Sequence, residues 1–102
     1  MITHVVLLRV KKTVPAKEVE RAFGAIGALK GRIHGILSYS WGPYSSPEGL
    51  HKGFTHGFVM TFTDAAARDA YLPHPEHEVV KSMVFELLDG GLDGVIAFDW
   101  AS

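Results

Sequence analysis

The chain has 102 residues, 47% of them hydrophobic, with ten basic and eleven acidic side chains and a formal net charge of −1. This length and hydrophobic content predict one domain over residues 1–102. The balanced charge argues against nucleic acid or an anionic membrane as a partner. Since cysteine is absent, disulfides and thiol catalysis are excluded. No apolar run is long enough to span a membrane and no signal sequence precedes the first predicted strand, so we expect a cytoplasmic protein.

The first two predicted elements are a strand and a helix. Ile2–Val10 is rich in branched residues and apolar on both faces, which predicts a strand. A helix is expected from an N-cap at Thr13 to about Lys30. Its apolar stripe consists of Val19, Phe23, Ile26 and Leu29. Gly24 and Gly27 within it each cost about 1 kcal/mol relative to alanine, which indicates either a close approach to the sheet or space left for a ligand.

Two strands and a short helix follow. Gly35–Gly42 is predicted to be a strand, and Lys52–Thr63 a longer one. The residues expected on one face of the first are Leu37, Tyr39 and Trp41. Those expected on one face of the second are Phe54, His56, Phe58, Met60 and Phe62. Asp64 is a candidate N-cap for a short alanine-rich helix that ends near Tyr71.

A second long helix and a last strand complete the chain. The helix is indicated by the apolar residues Val79, Val80, Met83, Val84, Leu87 and Leu88. Asp89–Gly94 breaks it, and Val95–Trp100 is the last strand. The order β-α-β-β-α-β, with the second helix split, predicts a ferredoxin-like α+β fold, in which both helices cover one face of a four-stranded antiparallel sheet.

The first and last predicted strands of this sheet are apolar on both faces. Val5 and Leu7 alternate with Val6 and Leu8, although the helices can cover only one of the two faces. Soluble monomers rarely expose an apolar surface of this size. We therefore expect a twofold homodimer in which two sheets pack face to face into a dimeric α/β barrel.

The segment Tyr71–His77 concentrates chemistry at one corner. It holds two histidines, a tyrosine and a carboxylate, and its two prolines restrict the backbone. Such a corner could transfer protons. A purely structural interpretation stays open, because Pro75 is a good first helical residue, Glu76 suits the positive helix end, and His74 could hydrogen bond the turn backbone.

Four short motifs in this chain resemble those of the stress-responsive α/β-barrel family of dimeric ferredoxin-like proteins, and the resemblance extends over nearly the whole length. The motifs are Thr3–Leu7, Phe54–His56, Tyr71 with His74–His77, and Phe98–Trp100. Known members include a plant polyketide cyclase and stress-associated proteins without settled chemistry. The resemblance implies the fold and leaves two functions open. One is a cofactor-independent lyase or cyclase acting on a small hydrophobic, polyketide-like carbonyl compound. The other is a non-enzymatic stress-responsive or small-ligand-binding homodimer.

The resemblance also implies roles for individual residues. His77 would be the general base and Tyr71 the hydrogen-bond donor to the substrate carbonyl, with His4 and Asp99 completing the catalytic set. Asp99 or a backbone carbonyl could fix the tautomer of His77. The residues expected to bind the substrate, most of them as the walls of a tunnel for an alkyl or aryl chain, are His56, Phe58, Met60, Leu8, Phe23, Val80 and His74.

Structural interpretations of these histidines compete with the functional ones. His4 and His56 could simply be packed strand residues, and aromatic side chains in strands are more often core than ligand contacts. We expect no metal centre, because His74 and His77 lack the helical i, i+4 spacing of a zinc-protease pair. We also expect no cofactor, since Gly90-Gly91 has neither the dinucleotide nor the phosphate-loop spacing.

Overall fold

A computed structural model describes all residues from Met1 to Ser102. The strands are β1 (Ile2–Leu8), β2 (Ile36–Pro43), β3 (His56–Phe62) and β4 (Val95–Ala101). The helices are α1 (Ala16–Ala28), α2 (Ala65–Tyr71) and α3 (Pro75–Leu87), with short 3₁₀ segments at Leu29–Gly31 and Gly91–Gly94. None of the helices is long and apolar enough to cross a membrane.

The four strands form one antiparallel sheet in the order β2-β3-β1-β4, the predicted ferredoxin-like arrangement. The β1 residues that face the helices are buried: Ile2, His4, Val6 and Leu8. In the register, His4 lies between Met60 of β3 and Asp99 of β4. A histidine on the central strand is therefore placed beside a carboxylate on the edge strand.

Helix α1 packs its predicted stripe against this face. Val19, Phe23, Ile26 and Leu29 are all buried. The helix begins at Ala16 after an N-cap at Pro15, without a side-chain hydrogen bond, so the predicted N-cap at Thr13 is wrong. Thr13 lies in the preceding turn, and the extended conformation of Pro15 sets the boundary instead.

The two glycines of α1 behave differently. A β-carbon added to Gly27 would lie 3.0 Å from the ring of Tyr39, whereas one added to Gly24 would meet no atom within 4 Å. The Tyr39 hydroxyl also donates a hydrogen bond to the Phe23 carbonyl over 2.8 Å. The close approach of helix and sheet predicted from these glycines is therefore found at Gly27.

Strand β2 contains a β-bulge that the alternating pattern did not reveal. Ile36 pairs with Phe62 while Ser38 pairs with the next residue, Thr61, so Leu37 has no partner in the ladder. The extra residue puts Ile36 and Tyr39 on the helix-facing side and leaves Leu37 exposed. The prediction that Leu37 shares a face with Tyr39 and Trp41 is wrong for this reason.

The predicted starts of the last two helices are confirmed. Asp64 accepts a hydrogen bond from the Ala67 amide over 2.8 Å, and α2 ends at Tyr71. Pro75 is the first residue of α3, and the His74 ring nitrogen Nδ1 accepts a hydrogen bond from the Glu76 amide. The proline corner is thus a helix start, and its structural interpretation is correct for His74 and Pro75.

The face of the sheet that points away from the helices is largely bare. Its apolar side chains lie on three adjacent strands: Val5, Leu7, Val59, Ile96, Phe98 and Trp100. Phe98 is 63% exposed and Trp100 is 48% exposed. Beyond them, the β2 residues that are paired on this face are small or polar: Ser38, Ser40 and Gly42.

Candidate active site

A pocket of about 530 Å³ lies between α3 and the helix-facing side of β1 and β4. Most of the residues around it are hydrophobic, and the polar groups are few. Three of the four predicted catalytic residues line it: His4, Tyr71 and His77. The fourth, Asp99, reaches the site through its contact with His4. An apolar cleft with a few convergent polar groups is the usual form of a small-molecule site.

His77 is oriented by the backbone of the corner that precedes it. Its Nδ1 lies 2.8 Å from the carbonyl oxygen of Leu72, the residue directly after α2. A carbonyl oxygen can only accept, so Nδ1 carries the proton and Nε2 of the neutral ring is left as an acceptor. Of the two groups proposed to fix this tautomer, the structure selects the backbone carbonyl rather than Asp99.

Burial controls the protonation of His77. Desolvation lowers the pKa of the imidazole below its ordinary value, and nearby Lys81 and His4 act in the same direction. The hydrogen bond to Leu72 and the charge of Glu78 oppose this shift without reversing it. The ring is therefore neutral near pH 7, as a general base must be.

Tyr71 is the tyrosine of the pocket. Its side chain is only 1% exposed, and its ring lies 4.2 Å from that of His77 between ring centroids. The hydroxyls of Tyr39 and Tyr44 are hydrogen bonded to backbone groups, but the Tyr71 hydroxyl has no such bond within the chain. This hydroxyl oxygen is not among the buried polar atoms that lack a partner, so it is solvent-accessible, and Tyr71 lines the pocket. It is free to bond a ligand.

Burial keeps Tyr71 protonated. Desolvation raises the pKa of its phenol above the ordinary value, since an anion is poorly solvated among apolar neighbours. The phenol therefore retains its proton throughout the neutral range and acts there as a hydrogen-bond donor.

His4 is held in a different way from His77. Its Nδ1 lies 2.5 Å from Oδ1 of Asp99, and the ring packs edge-on against three aromatic side chains: Phe58, Phe62 and Tyr71. The other carboxylate oxygen of Asp99 accepts a hydrogen bond of 3.0 Å from Nη1 of Arg68. An ionised carboxylate bonded to Nδ1–H leaves Nε2 of His4 as the free acceptor.

The carboxylate of Asp99 remains ionised at this position. Partial burial alone would raise its pKa, but the hydrogen bonds and charges of His4 and Arg68 outweigh that effect and lower the pKa below the ordinary value. Asp99 is thus an anion clamped between an imidazole on β1 and a guanidinium on α2.

The predicted substrate-binding residues divide into two groups. Leu8, Phe58 and Val80 line the pocket with the polar residues described above. The four others lie outside its lining: Phe23, Met60, His56 and His74. Phe23 and Met60 are completely buried in the core, because the stripe of α1 packs on the middle of β3.

The two histidines among the predicted substrate-binding residues have structural contacts instead. His56 stacks on Phe23 and its Nδ1 lies 2.8 Å from the Thr55 hydroxyl, and it borders a second cleft near the start of α1. His74 caps α3. The tunnel predicted along β3 is therefore replaced by a pocket along α3 and β4, since α1 occupies the space over β3.

The sequence reasoning missed Arg68 and did not identify which backbone carbonyl holds His77. The Leu72 carbonyl carries no side-chain signal and could be found only from coordinates. Arg68 could have been noticed as the one cation in a short alanine-rich helix, three residues before Tyr71. Phe85, Leu88 and Leu92 also line the pocket. Their positions depend on where α3 ends and on the glycine-containing turn that follows it.

Comparison with known proteins identifies the family. The family model described as Stress responsive A/B Barrel Domain matches residues 2–102. The Arabidopsis thaliana protein named Stress-response A/B barrel domain-containing protein HS1 is 30% identical over 99 residues, which are 97% of this chain and 87% of that protein.

Two solved structures share the fold. A dimeric ferredoxin-like protein of unknown function from Jannaschia sp. CCS1 superposes with a TM-score of 0.89 at 28% identity, covering 99% of this chain and 98% of the other. A hydroxynitrile lyase from Passiflora edulis gives a TM-score of 0.85 at 20% identity, covering 97% and 90%, which shows likeness of fold alone. Together with the family match, these findings show that the chain belongs to the stress-responsive A/B barrel domain family.

Proposed function

We propose that this protein is a homodimeric, cofactor-independent lyase or cyclase that binds a small hydrophobic carbonyl compound of polyketide-like type in the pocket between α3 and the sheet. One observation carries the proposal. His77 donates Nδ1–H to the Leu72 carbonyl, so that the ring presents a basic nitrogen in a pocket that also contains the unpaired hydroxyl of Tyr71.

The chemistry that suits this pair is removal of a proton next to a carbonyl. Nε2 of His77 takes the proton from the carbon, and the electrons of the broken C–H bond form an enolate. Tyr71 donates a hydrogen bond to the developing oxyanion while retaining its own proton. In a cyclisation, the enolate carbon then forms a C–C bond with a second carbonyl carbon, and the resulting alkoxide takes the proton back from His77.

His4 and Asp99 supply a second polar contact for the substrate in this mechanism. The carboxylate of Asp99 orients His4, whose free Nε2 can accept a hydrogen bond from a hydroxyl of the substrate. The remaining walls are apolar, with Leu8, Phe58 and Val80 placed to contact an alkyl or aryl chain. A ligand with a polar head and a hydrophobic tail matches this distribution.

The homodimer rests on the bare sheet face. Phe98 and Trp100 are about half exposed or more on a face without any helix cover, and covering such a face stabilises association through burial of apolar surface. The similar Jannaschia protein is described as dimeric. Two copies that bury this face against each other would pack sheet against sheet.

Sedimentation velocity with two matched variants tests the dimer. Phe98→Glu places a charge in the exposed apolar face, and we expect it to shift the protein from dimer to monomer at micromolar concentration. Leu50→Glu, which changes a 65% exposed leucine in a loop, should remain dimeric. A monomeric unmodified protein at micromolar concentration would contradict the proposed assembly.

The alternative is a homodimer that binds a small ligand without turning it over, and the predominantly hydrophobic lining of the pocket favours it. Thermal shift with a panel of aromatic and β-keto acids addresses both functions, because a ligand stabilises the folded state by RT ln(1 + [L]/Kd). Any compound that raises Tm is then assayed for conversion with the unmodified protein and with His77→Ala. Conversion that depends on His77 supports the enzyme, whereas tight binding without conversion supports the alternative.

A further inference from the structure

The last turn of α2 and the residue after it are linked to three polar residues of the pocket: Tyr71, His77 and, through Asp99, His4. Tyr71 is the final residue of α2, and the carbonyl of Leu72 directly after it holds His77. One turn earlier, the side chain of Arg68 reaches past β1 to Asp99 on the edge strand β4. The sequence from Arg68 to Leu72 therefore touches both imidazoles of the site, one through a carboxylate and one through a carbonyl.

We propose that Arg68 is a positioning residue, which holds Asp99 so that its carboxylate fixes the tautomer and orientation of His4. This inference rests on the proposed function for its catalytic meaning, while its structural part concerns only the chain itself. Arg68 touches neither the pocket nor any reacting atom, and it acts through the chain of contacts Arg68–Asp99–His4.

The geometry assigns one carboxylate oxygen to each partner. Oδ2 of Asp99 accepts from Nη1 of Arg68 over 3.0 Å, and Oδ1 faces Nδ1 of His4 over 2.5 Å. A carboxylate fixed at both oxygens cannot rotate about its terminal bond without losing one of these bonds. Without the guanidinium, Oδ2 would lose its only bond within the chain, and the carboxylate would be free to turn away from the imidazole.

Charge strengthens this arrangement. The groups that face Asp99 are His4 on β1 and Arg68 on α2, and the further contact of Arg68 is Asp69, whose Oδ1 lies 2.8 Å from Nε. Arg68 thus uses two different nitrogens for two carboxylates, a division that the guanidinium fork permits and that a lysine cannot reproduce. Asp69 is two-thirds exposed, whereas the side chain of Asp99 is largely covered. The contact of Arg68 with Asp99 is therefore the one that affects the pocket.

The test follows the ring nitrogens of His4 by two-bond ¹H–¹⁵N correlation spectroscopy on the full-length protein without any ligand. We expect the unmodified protein to show a single Nδ1–H tautomer at His4. In Arg68→Gln, which keeps a good helix former at this position, we expect a mixture of tautomers. The Asp99 carboxyl, followed by its ¹³Cγ shift, should titrate at a higher pH than in the unmodified protein.

Asp69→Asn is the matched control, because it removes the outer partner of Arg68 and leaves the bond to Asp99. It should retain the single tautomer. Arg68→Lys keeps the charge without the fork and should give an intermediate result; it also serves as the second variant if Arg68→Gln does not fold. An unchanged His4 tautomer and unchanged Asp99 titration in both Arg68 variants would overturn the proposal.

Measurements of turnover distinguish a failure of this inference from a failure of the proposed function. On a confirmed substrate, Arg68→Gln should lower kcat about 10-fold, the order expected when a hydrogen bond to a charged group is lost. If no substrate is converted, or if His77→Ala retains activity, the proposed function fails while the spectroscopic result on His4 still decides the role of Arg68.

Discussion

The two histidines of the pocket are held by different kinds of partner. His77 donates to a neutral backbone carbonyl, whereas His4 is bonded to an ionised carboxylate that is itself clamped by Arg68. A neutral acceptor orients a ring without adding charge, and burial then lowers the pKa of His77. The carboxylate of Asp99 instead fixes the tautomer and orientation of His4 through Nδ1. The contrast suits His77 to the role of base and His4 to a positioning role.

The largest effect should follow from removing the base. His77→Ala should lower turnover by about 10²–10⁴-fold, since this is the usual contribution of a positioned general base. The comparison is kcat on a confirmed substrate, with folding checked by circular dichroism. His34→Ala, which removes an exposed histidine outside the pocket, should leave kcat unchanged. Equal activity of the two variants would show that His77 transfers no proton.

Tyr71→Phe should have the next largest effect. Loss of one donor to an oxyanion lowers kcat by about 10²-fold, while the ring and its packing against His77 are retained. Tyr44→Phe is the matched control, because it removes the hydroxyl of a loop tyrosine bonded to the Gly49 amide. A Tyr71→Phe protein with a full kcat would remove the phenol from the mechanism.

The pH dependence of kcat/KM sharpens the assignment of the base. Because burial lowers the pKa of His77, the active neutral form persists below the ordinary histidine value of about 6.5. Activity should therefore be constant near pH 7 and fall about tenfold per pH unit only below that lowered pKa. An acid limb with its midpoint above 6.5 would contradict a buried, neutral base.

The smallest effect is expected for Asp99, the partner of His4, and it is an effect on the free energy of unfolding. Asp99→Asn should lower the free energy of unfolding by about 1 kcal/mol at pH 7, since it weakens two charge-assisted bonds of a partly exposed group. The folded-state pKa of Asp99 is lowered. Its contribution is therefore complete above the unfolded value of about 3.9 and is lost as the pH falls through the folded value.

Urea unfolding at pH 7 and at a pH well below the lowered folded-state pKa of Asp99 measures this dependence. The difference between Asp99→Asn and the unmodified protein should shrink towards zero in acid. A difference that is the same at both pH values would mean that the carboxylate charge contributes nothing to the His4 contact.

Much of the fold could be predicted from the sequence because the residue patterns that specify it are local. The stripe of α1, the Asp64 cap and Pro75 at the start of α3 act within one or two helical turns. The alternation of apolar residues in β1 and β4 identified the sheet and its bare face. Leu37 was misplaced because a bulge shifts the register by one residue, and no residue type in β2 marks that shift.

The site was harder to predict than the fold because its geometry depends on contacts between distant residues. The corner pointed to Tyr71 and His77, and these two rings do lie together. The pairing of Asp99 with His4 rather than His77 is set by the register of β1 and β4. The exclusion of Phe23 and Met60 from the pocket is set by where α1 crosses the sheet, which residue patterns alone do not specify.

Hydrogen–deuterium exchange at the α-carbon of a bound ketone tests the central claim most directly, because it reports proton removal without requiring the natural substrate. The probe is 4-phenyl-2-butanone in D₂O, followed by ¹H NMR with the unmodified protein, His77→Ala and His34→Ala. We predict accelerated exchange with the unmodified protein and with His34→Ala, and loss of that acceleration with His77→Ala. Saturable binding of the ketone with exchange that is equally fast in all three proteins would contradict His77 as the base.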